Sequence, residues 1–187
     1  PPPNAATPRG RHVPAMSALP SHPTPPTAQL PAANDAAEAR LEPMAPDTVD
    51  AVLAIEQRCY SHPWTRGNFL DTIAAGHLAQ CLWAGDTLLG YFVAMPGYQE
   101  VHLLNITIAP QHQRQGWARL LLDALALWAR GQHADWVWLE VRLNNVRAQQ
   151  LYLRHGYVRA GMRKRYYPAA HGEREDAVVM SLRLATP

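Results

Sequence analysis

The chain has 187 residues, a formal net charge of +2 and 48% hydrophobic residues, which suits one folded domain plus a tail. A charge this close to zero argues against broad binding to nucleic-acid phosphates, which requires a basic face. The sequence also holds no apolar run of about 18 residues, the length of a membrane-spanning helix. We therefore expect no direct nucleic-acid partner and no membrane partner.

The N-terminal segment differs sharply from the rest in composition. Residues 1–34 hold ten of the 17 prolines and no acidic residue. Proline removes backbone donors, and such a segment buries little apolar surface. We predict a disordered Pro-rich extension over residues 1–38 and one folded domain over residues 39–187. The extension lacks a charged start followed by a long apolar stretch, so a secretory signal is not expected.

The first predicted elements are a short strand at 40–44 and a helix that starts near Asp47, whose carboxylate can cap free N–H groups. Apolar residues at helical spacing continue this helix to about Tyr60, and Pro63 interrupts it. Thr65 is predicted to cap a second helix.

A mixed α/β sheet is predicted from the order of the later elements. Helical crossovers fill residues 116–155, so the strands on either side of the first crossover should lie side by side and parallel. Gly156 should end the second crossover helix. The predicted elements are strands 77–84, 87–95, 100–109, 135–141, 157–166 and 175–184, and helices 116–130 and 145–155.

The most informative local pattern is the loop Gln113-Arg114-Gln115-Gly116-Trp117-Ala118, between an apolar strand and an amphipathic helix. Such a loop directs free backbone N–H groups and the positive end of a helix dipole at one point, which suits an anionic pyrophosphate. It lacks the three glycines of a dinucleotide loop and the Gly-Lys-Ser/Thr of an NTPase loop. On the loop alone, an ordinary strand-to-helix turn with Gly116 at the bend is an equal alternative.

Two side chains after this loop could carry acid–base chemistry. Trp136, Trp138 and Glu140 alternate onto one strand face, where a carboxylate among tryptophans would lose hydration and become a better base. Tyr152 lies on the apolar face of the next helix, and a phenol can protonate a thiolate. From the residues alone, a salt-bridged carboxylate and a core tyrosine with a satisfied hydroxyl are the more common interpretations.

The cysteines and histidines of the sequence predict neither a metal site nor a disulfide. Cys59 and Cys81 have no paired-thiol spacing, which fits a reducing cytoplasm. The nine histidines show no metal-ligand spacing, and His62, His102 and His155 are interpreted as surface or packing residues.

The loop spacing Gln-x-x-Gly-x-Ala resembles the acetyl-CoA loop of the GNAT N-acetyltransferases. Longer motifs resemble the RimI type, the bacterial ribosomal-protein-alanine N-acetyltransferases, and this resemblance runs from about Leu41 to Leu184. Two departures are Trp117, where the family often has a smaller or aliphatic residue, and Ala118 in place of the third loop glycine. The longer motifs are Ile55-Glu56-Gln57-Arg58 with Pro63-Trp64, Trp138-Leu139-Glu140-Val141-Arg142, Asn145, Ala148, Leu151-Tyr152, His155-Gly156-Tyr157, Arg165-Tyr166-Tyr167-Pro168 and the segment from Gly172 to Ala177.

The resemblance implies the GNAT fold: a mixed, mostly antiparallel sheet with flanking helices and a central parallel strand pair that splays apart around the acetyl thioester. It implies Glu140 as the base, Tyr152 as the acid, and a backbone N–H near Ile108 that polarises the thioester carbonyl. It also implies acetyl-CoA as co-substrate, without a metal. The implied coenzyme contacts are Ile106, Thr107, Ile108, Arg114, Gln115, Gly116, Trp117, Ala118, Arg119 and Asn145.

The C-terminal hairpin supplies the candidate peptide contacts. Adjacent strand residues face opposite sides, so at most one of Tyr166 and Tyr167 can face a given pocket. One interpretation is that the two tyrosines are present only because aromatic residues favour strands. The resemblance implies instead that one or both bind the peptide substrate. A cluster of basic residues precedes the two tyrosines. We interpret it as a solvated strand edge, and the alternative is that it attracts the coenzyme phosphates. Its members are Arg159, Arg163, Lys164 and Arg165.

The resulting prediction is a cytoplasmic, monomeric enzyme that acetylates the N-terminal amine of a protein, with the N-terminal alanine of a small-subunit ribosomal protein as the expected target. Direct attack in a ternary complex is expected, because neither Cys59 nor Cys81 falls at the implied site. One alternative is acetylation of a lysine side chain or a small amine. Another is a non-catalytic acyl-CoA-binding module, against which the presence of both Glu140 and Tyr152 weighs. Fold alone does not decide among these functions.

Overall fold

The computed structural model describes residues 38–184. The predicted disordered extension, residues 1–38, therefore lies almost entirely outside the described residues and stays a prediction. None of the helices in the described part is long and apolar enough to cross a membrane.

Seven strands and four α-helices make up the described part, in the predicted order. The N-terminal half contains β1 (Ala39–Pro43), α1 (Val49–Cys59), α2 (Arg66–Ala74), β2 (Leu78–Ala84), β3 (Thr87–Pro96) and β4 (Glu100–Ile108). The C-terminal half contains α3 (Trp117–Gly131), β5 (Trp136–Arg142), α4 (Val146–His155), β6 (Val158–Pro168) and β7 (Arg174–Arg183).

Local caps explain two of the helix boundaries. Thr65 caps α2 in a reciprocal capping box with Asn68, as predicted. Gly156 ends α4 at φ 106°, a conformation that favours glycine, also as predicted. The prediction that Asp47 caps α1 is wrong. Thr48 occupies the cap position, and its hydroxyl bonds back to Ala45 instead of to the helix.

All seven strands form one sheet in the order β1-β2-β3-β4-β5-β7-β6. Only β4 and β5 pair in parallel, across the α3 crossover, and the other neighbours are antiparallel. This is the predicted mixed, mostly antiparallel sheet with one central parallel pair.

The parallel pair is joined along only part of its length. Residues Glu100 to Leu103 of β4 pair with Trp136 to Leu139 of β5, and the pairing stops there. Beyond that point β4 stays paired to β3 as far as Ile108, and β5 stays paired to β7 as far as Arg142. A register shift between Val93 and Ala94 of β3 accompanies the separation, because a bulge bends a strand. The two halves of the sheet therefore diverge around an open gap.

The hydrophobic core has two parts, one on each face of the sheet. Leu121, Leu122 and Leu125 of α3 are fully buried on one face, and each contributes about 1.5–3 kcal/mol of burial free energy. Val52 of α1 and Phe69 of α2 pack against the other face. The sheet is therefore covered by helices on both faces.

Candidate active site

Two clefts meet at the gap between β4 and β5. The cleft on the α1 face, called the α1-side cleft, has a volume of about 340 Å³ and is lined by α1, the segment after it, both strand ends and the β6–β7 hairpin. The cleft on the α3 face, called the α3-side cleft, has a volume of about 440 Å³ and is lined by the 113–119 loop and α4. Ile106, Asn145 and Tyr152 line both clefts, so a ligand from each side can meet there.

The α3-side cleft begins at the N-terminus of α3. Gly116 precedes the helix with φ 90°, and no other described atom lies within 4 Å of the position a Cβ would occupy. The backbone N–H groups of Trp117 and Ala118 fall in the first helical turn, where no intrahelical acceptor exists. With the helix dipole, these donors make the start of α3 favourable for a negatively charged group.

Arginines strengthen this preference for a negative ligand. Arg114, Arg119, Arg147 and Arg154 line the α3-side cleft, and none of its lining residues carries a carboxylate. Arg147 donates to the side-chain oxygen of Gln113 at 3.2 Å, which joins α4 to the loop. A long ligand with several phosphates fits this charge distribution.

Most of the predicted coenzyme contacts come together in this cleft, but two do not. The Thr107 side chain is buried on the opposite face, where it contacts Asn105 and Tyr60. Gln115 accepts a hydrogen bond from the Trp117 indole at 3.1 Å and lies outside the lining. The predicted residues that line the cleft are Ile106, Ile108, Arg114, Gly116, Trp117, Ala118, Arg119 and Asn145.

Glu140 lies at the edge of the gap, where β5 leaves β4. Its side chain is 15% exposed and lines the α1-side cleft. Its carboxylate pairs with the Arg163 guanidinium at 3.0 Å, and its backbone carbonyl accepts the Tyr167 hydroxyl at 2.9 Å. The candidate base is therefore accessible from the cleft, and two residues of the β6–β7 hairpin contact it.

Tyr152 lies at the junction of the two clefts. The residue is 7% exposed, and its hydroxyl hydrogen-bonds to no other described residue. Burial, followed by the neighbouring tyrosines 60, 157 and 167, raises its pKa well above the usual value. The hydroxyl thus stays protonated at neutral pH and has its donor free for a ligand in the gap.

The two hairpin tyrosines differ in position. Tyr167 lines the α1-side cleft, and the Arg142 guanidinium lies 4.6 Å from its ring centre. Tyr166 is 40% exposed, lies outside the cleft lining and packs edge-to-face on Tyr167. Of the pair, Tyr167 therefore has the position of a substrate contact.

A buried polar network that the sequence did not reveal lies beside the α1-side cleft. Glu56 is 1% exposed and accepts hydrogen bonds from the Trp64 backbone N–H at 2.8 Å, the Tyr91 hydroxyl and the Asn105 amide. Asn105 in turn accepts the Thr107 hydroxyl at 3.0 Å. This carboxylate ties the segment after α1 to β3 and β4. Its sequence signal was one acidic residue on the otherwise apolar face of α1.

Tyr60 connects that network to the cleft. Its hydroxyl lies 2.9 Å from the Thr107 hydroxyl and 3.3 Å from the Ile106 carbonyl. Burial raises the pKa of Tyr60 to about 12, although the hydrogen bond with Thr107 offsets part of this rise. The cleft lining to which sequence reasoning gave no role includes Glu56, Tyr60, His62, Trp64, Leu104 and Arg142.

Metal ligands are not clustered in the described part. Residues 38–184 contain no group of three or more histidine, cysteine or carboxylate side chains placed to hold a metal ion. Cys59 and Cys81 are free thiols, and neither lines either cleft.

Comparison with known proteins gives consistent relatives. The chain is 33% identical over 144 residues to the [ribosomal protein bS18]-alanine N-acetyltransferase of Haemophilus ducreyi, covering 77% of this chain and 99% of that protein. The crystal structure of the ribosomal-protein-S18-alanine N-acetyltransferase from Escherichia coli superposes with a TM-score of 0.74 at 30% identity, covering 80% of this chain and 96% of that one.

A more distant structure shares the fold alone. A spermidine N-acetyltransferase chimera from Vibrio cholerae and hSSAT matches with a TM-score of 0.68 at 18% identity, covering 78% and 95% of the two chains. The sequence profile of the acetyltransferase (GNAT) family matches residues 49–157, more than half of the chain. With the splayed strand pair and the helix-start anion site, this match shows that the chain belongs to the GNAT acetyltransferase family.

Proposed function

We propose that this protein transfers the acetyl group of acetyl-CoA to the N-terminal amine of a protein, and that its acceptor is the N-terminal alanine of ribosomal protein bS18. One observation carries the chemistry: an arginine-lined cleft and a carboxylate-bearing cleft meet at the free hydroxyl of Tyr152. The acceptor is supported by the name of the Haemophilus ducreyi relative, which aligns over nearly its whole length.

Acetyl-CoA fits the α3-side cleft. Its pyrophosphate suits the N–H groups at the start of α3, and Arg114 and Arg119 supply positive charge beside them. Asn145 and Ile106, which line both clefts, mark the place where the thioester would enter the gap. The protein acceptor would approach from the opposite face, between the segment after α1 and the Tyr167 side of the hairpin.

The reaction then requires three proton transfers, because the acceptor ammonium carries three protons and the product amide keeps one. An α-amino group has a pKa near 8 in water, so Glu140 needs to remove one proton with only modest driving force. The neutral nitrogen attacks the thioester carbon, a C–N bond forms, and the C–S bond breaks as the tetrahedral oxyanion collapses. Tyr152 gives its proton to the departing thiolate, and the resulting phenolate takes the second proton from the attacking nitrogen. Glu140 then releases its proton to water. Holding both substrates in one gap supplies the orientation that direct attack needs.

Acetyl transfer to defined peptides tests this proposal. One peptide carries the N-terminal sequence of bS18 with a free alanine amine and no lysine, and the other has a blocked N-terminus and one internal lysine. Intact-mass spectrometry after incubation with acetyl-CoA should show one added acetyl group on the first peptide alone. Addition to the second peptide alone would reject the proposed acceptor in favour of lysine, and addition to neither would reject protein acetylation.

A further inference from the structure

The carboxylate of Glu140 is held by an arginine that reaches it from two strands away. Arg163 belongs to β6, and β7 lies between β6 and β5 in the sheet. Arg163 pairs with Ala177 of β7, whereas Glu140 pairs with Val179 of the same strand. The Arg163 side chain therefore reaches diagonally across β7 and places its Nε atom 3.0 Å from Glu140 Oε1.

The two partners differ in exposure. The Glu140 side chain is 15% exposed, whereas the Arg163 side chain is 54% exposed. The guanidinium also lies 5.5 Å from the ring centre of Tyr166, so it has a second contact, of the cation–π kind, on the hairpin. An ion pair with one exposed partner contributes little net free energy, so Arg163 can leave Glu140 at low cost.

Among the described residues, Arg163 is the only cation within 4 Å of this carboxylate. Arg142, the arginine that lines the α1-side cleft, pairs with Glu175 at 3.1 Å and donates to the Pro168 carbonyl. The Glu56 carboxylate is occupied by its own three donors. The titratable and charged groups lining the cleft with Glu140 are Glu56, Tyr60, His62, Arg142, Tyr152 and Tyr167.

The proposed acceptor is also a cation when it arrives. A protein N-terminus is largely an ammonium at neutral pH, because its pKa is near 8. The ammonium and Arg163 therefore compete for one carboxylate. Only the ammonium can give up a proton there, because an arginine guanidinium stays charged in proteins.

We infer that Arg163 is a positioning residue that holds the Glu140 carboxylate in place at the edge of the gap until the acceptor ammonium displaces it. This inference rests on the proposed function for its acceptor. The ion pair itself is independent of that function. Removing Arg163 should make Glu140 hold its proton to higher pH without removing the base.

The experiment compares Arg163→Ala and Arg163→Lys with Lys164→Ala, a neighbouring loss of charge that lies outside the ion pair. Protein labelled with carbon-13 at glutamate carboxyls is titrated by NMR, and Glu140 is identified by the resonance missing from Glu140→Gln. In Arg163→Ala the titration midpoint should rise measurably but modestly, because Arg163 is half exposed. Lys164→Ala should match the wild type, and Arg163→Lys should restore most of the difference.

The pH dependence of kcat/KM for the alanine peptide gives the functional readout. The acid limb of Arg163→Ala should move to higher pH in the same direction, with a smaller loss on the plateau at high pH. Added salt should move the wild-type limb toward that of the variant, because screening weakens an exposed pair. A uniform loss of activity at every pH would instead indicate a merely structural role and would overturn the inference.

Failure of this inference and failure of the proposed function give different results. Equal titration midpoints in Arg163→Ala and Lys164→Ala would refute the role of Arg163, whether or not the peptide is acetylated. A shifted midpoint in an enzyme that does not acetylate the alanine peptide would support the ion-pair claim and reject the proposed acceptor.

Discussion

Replacing Gly90 by alanine tests whether the spacing between β3 and β4 positions the acetyl donor. Gly90 pairs with Ile108 at the end of β4, next to the gap. A Cβ added at Gly90 would lie 2.4 Å from the Thr107 carbonyl oxygen and 2.7 Å from the Ile108 Cδ1 atom. A relaxed carbon–oxygen contact is about 3.3 Å, so β4 must retreat by about 0.9 Å.

This displacement should affect both stability and rate. Overpacking of this kind costs about 1–3 kcal/mol of unfolding free energy. Ile108 lines the α3-side cleft, and the proposed N–H that polarises the thioester lies near it. A misplacement of about 1 Å can reduce the rate by on the order of 100-fold. We therefore expect kcat/KM of Gly90→Ala to fall by about 10- to 100-fold.

Urea unfolding and kcat/KM for the alanine peptide, measured in the same buffer, check both effects. Gly131→Ala is the matched control, because an added Cβ at the end of α3 meets no atom within 4 Å. The control should keep its activity and stay within about 0.5 kcal/mol of the wild type. If Gly90→Ala behaves like Gly131→Ala in both assays, β3 does not position β4 for the reaction.

Three further predictions concern individual side chains. Glu140→Gln should lower kcat/KM by roughly 100- to 10,000-fold near pH 7 and shift the remaining activity to higher pH; an unchanged pH–rate profile would remove Glu140 as the base. Tyr152→Phe should lower kcat, while calorimetric affinity for acetyl-CoA stays within about twofold; a full loss of binding would assign Tyr152 to the coenzyme site instead. Because burial raises the pKa of Tyr60 to about 12 from 10, the unfolded state loses this proton first. Because of this group, the free energy of unfolding should fall by about 1.4 kcal/mol per pH unit between pH 10 and about pH 12. Urea unfolding of Tyr60→Phe should show a smaller fall than the wild type over the same pH range.

Sequence reasoning located the elements that depend on neighbouring residues. Thr65 and Gly156 mark helix ends because capping is local chemistry. The parallel pairing of β4 and β5 followed from the crossover helix between them. Asp47 shows the limit of this approach, because Thr48 takes the cap position and the carboxylate lies one residue too early.

The contacts around the candidate base depend on long-range geometry. Between Arg163 and Tyr167 four residue steps of β6 face two steps of β7, and Arg165 adopts φ 52°. Strand alternation leaves open which of the two tyrosines faces the cleft, and the structure shows Tyr167 in the lining. The Arg163 contact with Glu140 requires knowing that β7 inserts between their strands.

Locating the acetyl group on intact ribosomal protein bS18 tests the central claim most directly. Unmodified bS18 would be incubated with acetyl-CoA and either the wild-type protein or the Glu140→Gln, Tyr152→Phe double variant, and the product fragmented by tandem mass spectrometry. The account predicts one acetyl group on the α-amine of the N-terminal alanine with the wild type, and little with the double variant. Acetylation confined to lysine side chains, or equal acetylation by both proteins, would contradict it.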